Sequence, residues 1–139
     1  MEVSSNQKGT KIQDGNGVAE VMSAILRNEE EIDRDKEHFW VIGLSTKNSI
    51  KFIDLVGLGT LTSALIHPRE TYRRAINRGV ASIICVHNHP SGDLEPSRED
   101  VKVSEQLKNA GDIVGIHVLD HVIINVDGGF TSMKQRGYL

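Results

Sequence analysis

Ala81-Ser82-Ile83-Ile84-Cys85-Val86 is the stretch that most constrains the fold. It is apolar almost throughout and rich in β-branched residues, as expected of a central strand covered on both faces. Such a strand needs neighbouring strands and helical layers, and the rest of the chain can supply both. Val18, Val21, Met22, Ile25 and Leu26 recur at three- and four-residue spacing and read as an amphipathic helix reaching about Asn28. Pro68 to Asn77 reads as a second helix, with Tyr72, Ala75 and Ile76 on one face and Gly79 as its stop. Ser97 can cap a third, whose apolar side is Val101, Val103, Leu107 and Ala110, with Gly111 ending it.

Shorter apolar runs fill in the sheet. Phe39 to Leu44 and Ile50 to Val56 form a predicted hairpin across the turn chemistry of Thr46 to Ser49. Leu58-Gly59-Thr60-Leu61 breaks the pattern and reads as a bend, and Leu65 and Ile66 lead into the Pro68 helix. Ile113 to Leu119 and His121 to Val126 read as two strands, and Phe130 to Met133 as a last short one. The acidic run Glu29-Glu30-Glu31, with Asp33 and Asp35, reads as a solvated helix end and loop. Met1 to Asn16 is polar and Gly/Ser/Asn-rich, and is expected to be a flexible arm (1–16) ahead of a single domain (17–139). The predicted fold class is therefore α/β, one domain with a mixed β-sheet flanked by helices. With 139 residues, 38% of them hydrophobic and only 4% aromatic, the core must rest on Ile, Val and Leu.

Charge and composition narrow the function classes. The net charge of −3 lacks the basic surplus of a domain that lives by gripping phosphate backbones. A single cysteine, Cys85, precludes an intramolecular disulfide or a multi-thiolate zinc site within one chain, and its setting marks it as a small buried hydrophobe. No run approaches the ~20 apolar residues needed to span a bilayer. Met1 to Gln13 lacks the apolar core of a signal peptide, so a cytoplasmic location is expected.

The chemistry is concentrated in His87-Asn88-His89-Pro90-Ser91-Gly92-Asp93-Leu94-Glu95-Pro96-Ser97-Arg98-Glu99-Asp100. Two histidines one residue apart follow the central strand, so in extended backbone both imidazoles face the same side. Pro90, Gly92 and Pro96 shape a tight loop that returns the chain, and Asp100 falls in the first turn of the next helix. Two imidazoles and a carboxylate are a ligand set typical of catalytic zinc, with a fourth position left for water. Taken singly, each residue has a plainer reading. An isolated His-x-His is common, Asp100 can be a helix-capping acid, and Ser97 alone reads as an N-cap. The combination is stronger because one structural unit, strand end plus loop plus helix start, would gather all three ligands.

The segment His87-x-His89, Pro90, Gly92 and Pro96-Ser97-x-x-Asp100 resembles the JAMM (MPN-plus) metalloprotease motif, and more narrowly its RadC-type branch. Gly59-Thr60-Leu61, His67-Pro68-Arg69-Glu70, Ala110-Gly111 and Leu119-Asp120-His121-Val122-Ile123-Ile124 also match, so the likeness runs from about Asp35 to the C-terminus. The resemblance implies a cytidine-deaminase-like JAB/MPN architecture and zinc on His87, His89 and Asp100. It also implies a catalytic pair. Glu37, directly ahead of the His38–Ile42 strand, matches the family's general base, and Ser97 matches the serine that hydrogen-bonds the developing oxyanion. The implied reaction is hydrolysis of a peptide or isopeptide bond in a peptide or protein substrate. His67 and His121 lie in matching segments outside the metal motif and are read as structural histidines near the site. RadC-type proteins usually carry a helix-hairpin-helix region ahead of this domain. Here only the stretch before Asp35 precedes the match, which resembles short stand-alone forms found on mobile genetic elements. Two other readings stand beside the hydrolase: a DNA-repair or nucleic-acid-associated module using the zinc fold as scaffold, and a non-catalytic interaction domain.

Overall fold

The computed structural model describes residues 1–59 and 66–139. The Thr60 and Leu61 positions of the expected bend, and Leu65, lie outside the described residues. Among those described, a five-stranded mixed sheet has the order β2-β1-β3-β4-β5. Its strands are β1 (His38–Leu44), β2 (Ile50–Leu58), β3 (Ser82–Asn88), β4 (His117–Ile124) and β5 (Phe130–Ser132). The β1–β2 hairpin is antiparallel, β1 is antiparallel to β3, β3 is parallel to β4, and β5 returns antiparallel on β4. The expected α/β domain with a mixed sheet and flanking helices is what the chain forms.

Alternation along the strands divides the core in two. Trp40, Ile42 and Leu44 of β1, Ile84 and Val86 of β3, and Val122 and Ile124 of β4 face α1 (Gly15–Arg27), which buries Val18, Met22 and Leu26 against them. Phe39 and Val41, Ile83 and Cys85, and Val118 face the opposite layer, built from α3 (Pro68–Arg78) and α4 (Arg98–Val114). The β3 run is buried at every position, which is why it reads as continuously apolar in sequence. Cys85 is buried as expected, and burial pushes its thiol up to about 12, so it is an inert core side chain.

Helix ends follow their local chemistry. Asp14 caps α1 by accepting from the Gly17 N–H at 3.0 Å. His67 caps α3, its ring Nδ1 accepting from the Arg69 N–H at 3.0 Å, and Gly79 closes that helix in the left-handed conformation. The acidic stretch holds one short turn, α2 (Glu31–Arg34).

Sequence expectations change first around α4 and β4. Gly111 does not end α4; the helix runs on to Val114 and closes at Gly115, whose φ of 79° suits glycine. Gly111 is instead a contact point, because a Cβ there would lie 2.4 Å from the Tyr72 hydroxyl and 2.5 Å from the Ile116 carbonyl oxygen. Ile113 and Val114 are consequently exposed helix residues, and the two strands predicted on either side of Asp120 are one strand, β4. An acid is tolerated there because its carboxylate is fully used: it accepts from the His121 N–H at 2.7 Å, the Ser132 hydroxyl at 2.5 Å and the Lys134 N–H at 3.1 Å.

The segment read as an arm lies along the outer edge of β2. Val3 donates to Ile53, Leu55 to Met1, Ile50 to Thr10 and Ile12 to Asn48 through the main chain at 2.7–2.9 Å. Ile12 enters the core on the α1 side. Among the described residues no helix is long and apolar enough to cross a membrane.

Candidate metal centre

The site forms where the central strand runs out. β3 ends at Asn88, with Cys85 and His87 on the α4 side of the sheet. His87 pairs in register with Phe39 of β1 and Ile123 of β4, so its ring is held between two neighbouring strands and is 3% exposed. His89, two residues on, points to the same side. Asn88 between them turns the other way: its side chain accepts from the His38 N–H at 2.7 Å and donates to the Lys36 carbonyl at 3.1 Å. One buried amide thus pins the peptide groups on both sides of Glu37 to the strand that carries His87.

The loop from His89 to Ser97 is closed by its own polar groups. Gly92 takes φ 78°, and its N–H donates to the His89 carbonyl. The Ser97 hydroxyl then accepts from the Asp100 N–H at 3.1 Å, while the Asp100 carboxylate accepts from the Ser97 N–H at 2.8 Å. This is a complete capping box with aspartate in the usual glutamate position. The plainer reading of Ser97 and Asp100 as caps is therefore correct, and it does not compete with a ligand role. The cap is what fixes the Asp100 carboxylate over the histidines.

Three ligand atoms converge there. His89 Nε2 lies 2.8 Å from Asp100 Oδ2, His87 Nε2 lies 3.0 Å from Asp100 Oδ1, and the two Nε2 atoms are 3.1 Å apart. All three expected ligands fall in one group whose donor atoms lie within 4.8 Å of one another. Tetrahedral zinc with bonds of ~2.0–2.1 Å would hold such atoms about 3.3 Å apart. Small outward shifts of the side chains give that spacing. The donor chemistry also fits: the His89 Nδ1–H donates to the Asp93 carbonyl at 2.8 Å, which leaves Nε2 to face the centre.

Electrostatics show how tightly the groups are coupled. The hydrogen bond to Asp100, which outweighs the opposing effect of burial, holds the His89 ring above its ordinary value; the carboxylate's charge, the Asp93 carbonyl and Glu37 add to it. Burial alone would raise Asp100, but hydrogen bonds from His87 and His89 outweigh it and hold the carboxyl well below the usual range.

Glu37 directly precedes β1. Phe39 is opposite His87, so extending that register by two residues sets Glu37 beside His89 and on the same face. Glu37 lines a narrow cleft with Phe39, Ile66, His87, Asp100 and His121, whose ≈ 10 Å³ of water-accessible space is about one water's worth. Ser97 is exposed and is joined to the centre through Asp100. His67 is the α3 cap already described, whereas His121 is fully buried at the back of the centre, its Nε2 2.7 Å from His87 Nδ1. Sequence reasoning missed Ser104. Its hydroxyl donates to the Asp100 carbonyl at 2.9 Å and also meets His121 Nδ1. Its signal was the four-residue spacing from Asp100, which puts both on one side of α4.

Comparison with known proteins agrees with this site. The RadC-like JAB domain profile matches residues 12–138. A UPF0758 protein of Desulforudis audaxviator is 52% identical over 103 residues, covering 74% of this chain and 44% of that protein. One from Caldanaerobacter subterraneus subsp. tengcongensis is 54% identical over 103 residues, with the same coverage. Another from Geobacillus kaustophilus is 50% identical over 104 residues, covering 75% of this chain and 46% of that protein. The chain thus spans a little under half the length of these relatives, and their names state no activity. With a profile match reaching over nearly the whole length, and a His-His-Asp group able to hold a metal ion at the end of its central strand, the chain belongs to the RadC-like JAB domain family.

Proposed function

We propose that this domain is a zinc-dependent hydrolase of amide bonds, a metallopeptidase or isopeptidase acting on a peptide or protein. The observation that carries the reading is the convergence of His87, His89 and Asp100 beside a cleft lined by Glu37. His87 and His89 would supply neutral nitrogens and Asp100 a carboxylate oxygen, three ligands in all. Held by these three side chains, zinc would supply Lewis acidity, lowering the pKa of a water toward neutral pH and polarising a carbonyl.

The remaining work falls to the chain's own groups. Glu37 accepts the proton of the attacking water and later passes it to the leaving amine. Ser97 already accepts from the Asp100 N–H, so its own O–H remains to donate to the carbonyl oxygen as charge builds there. Phe39 and Ile66 give the cleft apolar walls, which strengthen each of these interactions. Asn88 keeps the Glu37 main chain in place from behind.

Zinc content after reconstitution, paired with turnover of fluorogenic peptide and isopeptide substrates, tests the reading. The wild-type chain should take up one zinc, and His87→Ala should take up none. Glu37→Gln should keep its zinc and lose roughly 10²–10⁴ in kcat, the range typical of a missing general base. Failure of the wild-type chain to hold zinc, or full activity in Glu37→Gln, would sink it.

A further inference from the structure

His121 lies outside the ligand set and outside the reacting groups, yet it is fully buried against one of the ligands. Its placement depends on an irregularity in β4. Along β3 and β4, Ile83 pairs with Val118 but Ile84 pairs with Asp120, so one extra residue is taken up at Leu119. In a regular strand Val118 and His121 would face opposite sides. The bulge puts both on the α4 side and returns Val122 to the α1 side. Bulges re-aim side chains in this way, and here the re-aimed side chain is His121.

Once there, it joins a chain of hydrogen bonds whose direction is fixed. The chain runs from the Asp100 carbonyl to Ser104 Oγ (2.9 Å), on to His121 Nδ1, and from His121 Nε2 to His87 Nδ1 (2.7 Å). A carbonyl oxygen can only accept, so the Ser104 hydroxyl proton points at Asp100. Ser104 Oγ then accepts from His121, which places the His121 proton on Nδ1. The His121 Nε2 is left as an acceptor, since a ring buried against Phe39 stays neutral. His87 therefore keeps a proton on Nδ1, so that when its ring is neutral it is the Nε2 lone pair that faces His89 and Asp100. The chain begins on the main chain of one proposed ligand and ends on the ring of another.

We propose that His121, backed by Ser104, is a positioning residue for the metal. It holds His87 in the tautomer that offers Nε2 to an ion, and it couples β3 to the first turns of α4 so that His87 and Asp100 keep their mutual distance. The proposal rests on the metal-binding reading above. It adds that affinity is set from behind the ligands, by two residues that touch neither metal nor substrate.

The test is zinc affinity, read by competition with a chromophoric chelator, alongside thermal melting of the metal-free protein. His121→Phe keeps the ring volume and removes the acceptor. It should melt as a folded protein and bind zinc about 10- to 100-fold more weakly, the usual effect of losing such a support. His121→Gln can still accept from His87 and donate to Ser104, and should recover part of that loss. Ser104→Ala keeps His121 and removes its fixed partner, so its affinity should fall by a smaller factor. A folded His121→Phe with wild-type affinity overturns the proposal. If His121→Phe does not fold, wild-type affinity in both His121→Gln and Ser104→Ala overturns it equally. Absence of zinc binding in the unmodified chain would instead defeat the metal-binding reading on which this one stands.

Discussion

The two faces of the sheet are made by the same strands and serve different ends. Toward α1, β1, β3 and β4 present Trp40, Ile42, Leu44, Ile84, Val86, Val122 and Ile124, a predominantly apolar layer. Toward α3 and α4 the layer begins the same way, with Val41, Ile83, Cys85 and Val118. At the far end of those strands it becomes His87, His121, Ser104 and Asp100. A buried polar group costs free energy unless it is hydrogen-bonded, and these four satisfy one another. The α1 face is stabilised mainly by burial, with the hydrogen-bonded Asn88 amide as a polar exception, while the other accepts a costly polar end able to hold a metal ion.

That contrast predicts separable damage. Trp40 is fully buried on the α1 face, and Trp40→Ala should cost ~3–5 kcal/mol of unfolding free energy. Its zinc affinity, measured below the melting transition, should stay within a few-fold of wild type. A large loss of affinity in a folded Trp40→Ala protein would show that the faces are energetically joined. His87→Ala should do the reverse, removing zinc binding with a much smaller change in the melting of the metal-free protein.

A smaller effect is expected within the α3–α4 face, away from its polar end. Gly111 sits where α4 passes Tyr72, whose hydroxyl donates to the Leu107 carbonyl at 2.8 Å. Alanine ordinarily favours a helix over glycine by ~0.5–1 kcal/mol. Here its Cβ would have to displace a buried hydroxyl and a main-chain oxygen, and overpacking of that kind costs ~1–3 kcal/mol. Gly111→Ala should therefore lower the denaturant midpoint and leave zinc affinity unchanged. A gain in stability would mean that Tyr72 can swing aside.

The same division governs what the sequence revealed. β3 was legible because it is buried on both faces, so every position carries the signal. The His-x-His spacing and the capping residues were legible because they are local: two-residue periodicity and a four-residue box need no tertiary information. Gly111 was misread because a glycine near the end of an apolar stripe looks like a stop, whereas its reason lies across the interface on Tyr72. Asp120 seemed to split a strand because its three hydrogen-bond donors come from elsewhere on the chain and from its own neighbour. Main-chain pairing of the N-terminal segment with β2 leaves no trace in composition. Glu37 needed the family pattern, since a single acid before a strand carries no geometry. Ser104 resembled any polar helix residue, and its partner was 17 positions away.

The most gradual effect expected is one of pH, and it too distinguishes the faces. In the metal-free protein, His89 is held above its ordinary value by Asp100, and Asp100 is held below its own by the two histidines. A raised histidine contributes stability that is complete below about pH 6.5 and is lost as pH climbs through the raised value. A depressed carboxyl contributes stability that is present above about pH 3.9 and is lost only as pH falls through the depressed value. Between those limits, acidification from pH 8 toward 5 should favour the metal-free fold at this site. Zinc must displace the proton from His89 Nε2, so its affinity should fall by up to about tenfold per pH unit below the raised value. The melting temperatures with and without zinc should therefore converge as pH drops, and Trp40→Ala, which leaves the polar end alone, should show the same convergence from a lower baseline. A zinc increment that stays constant from pH 8 to pH 5 would mean that His89 is not a ligand.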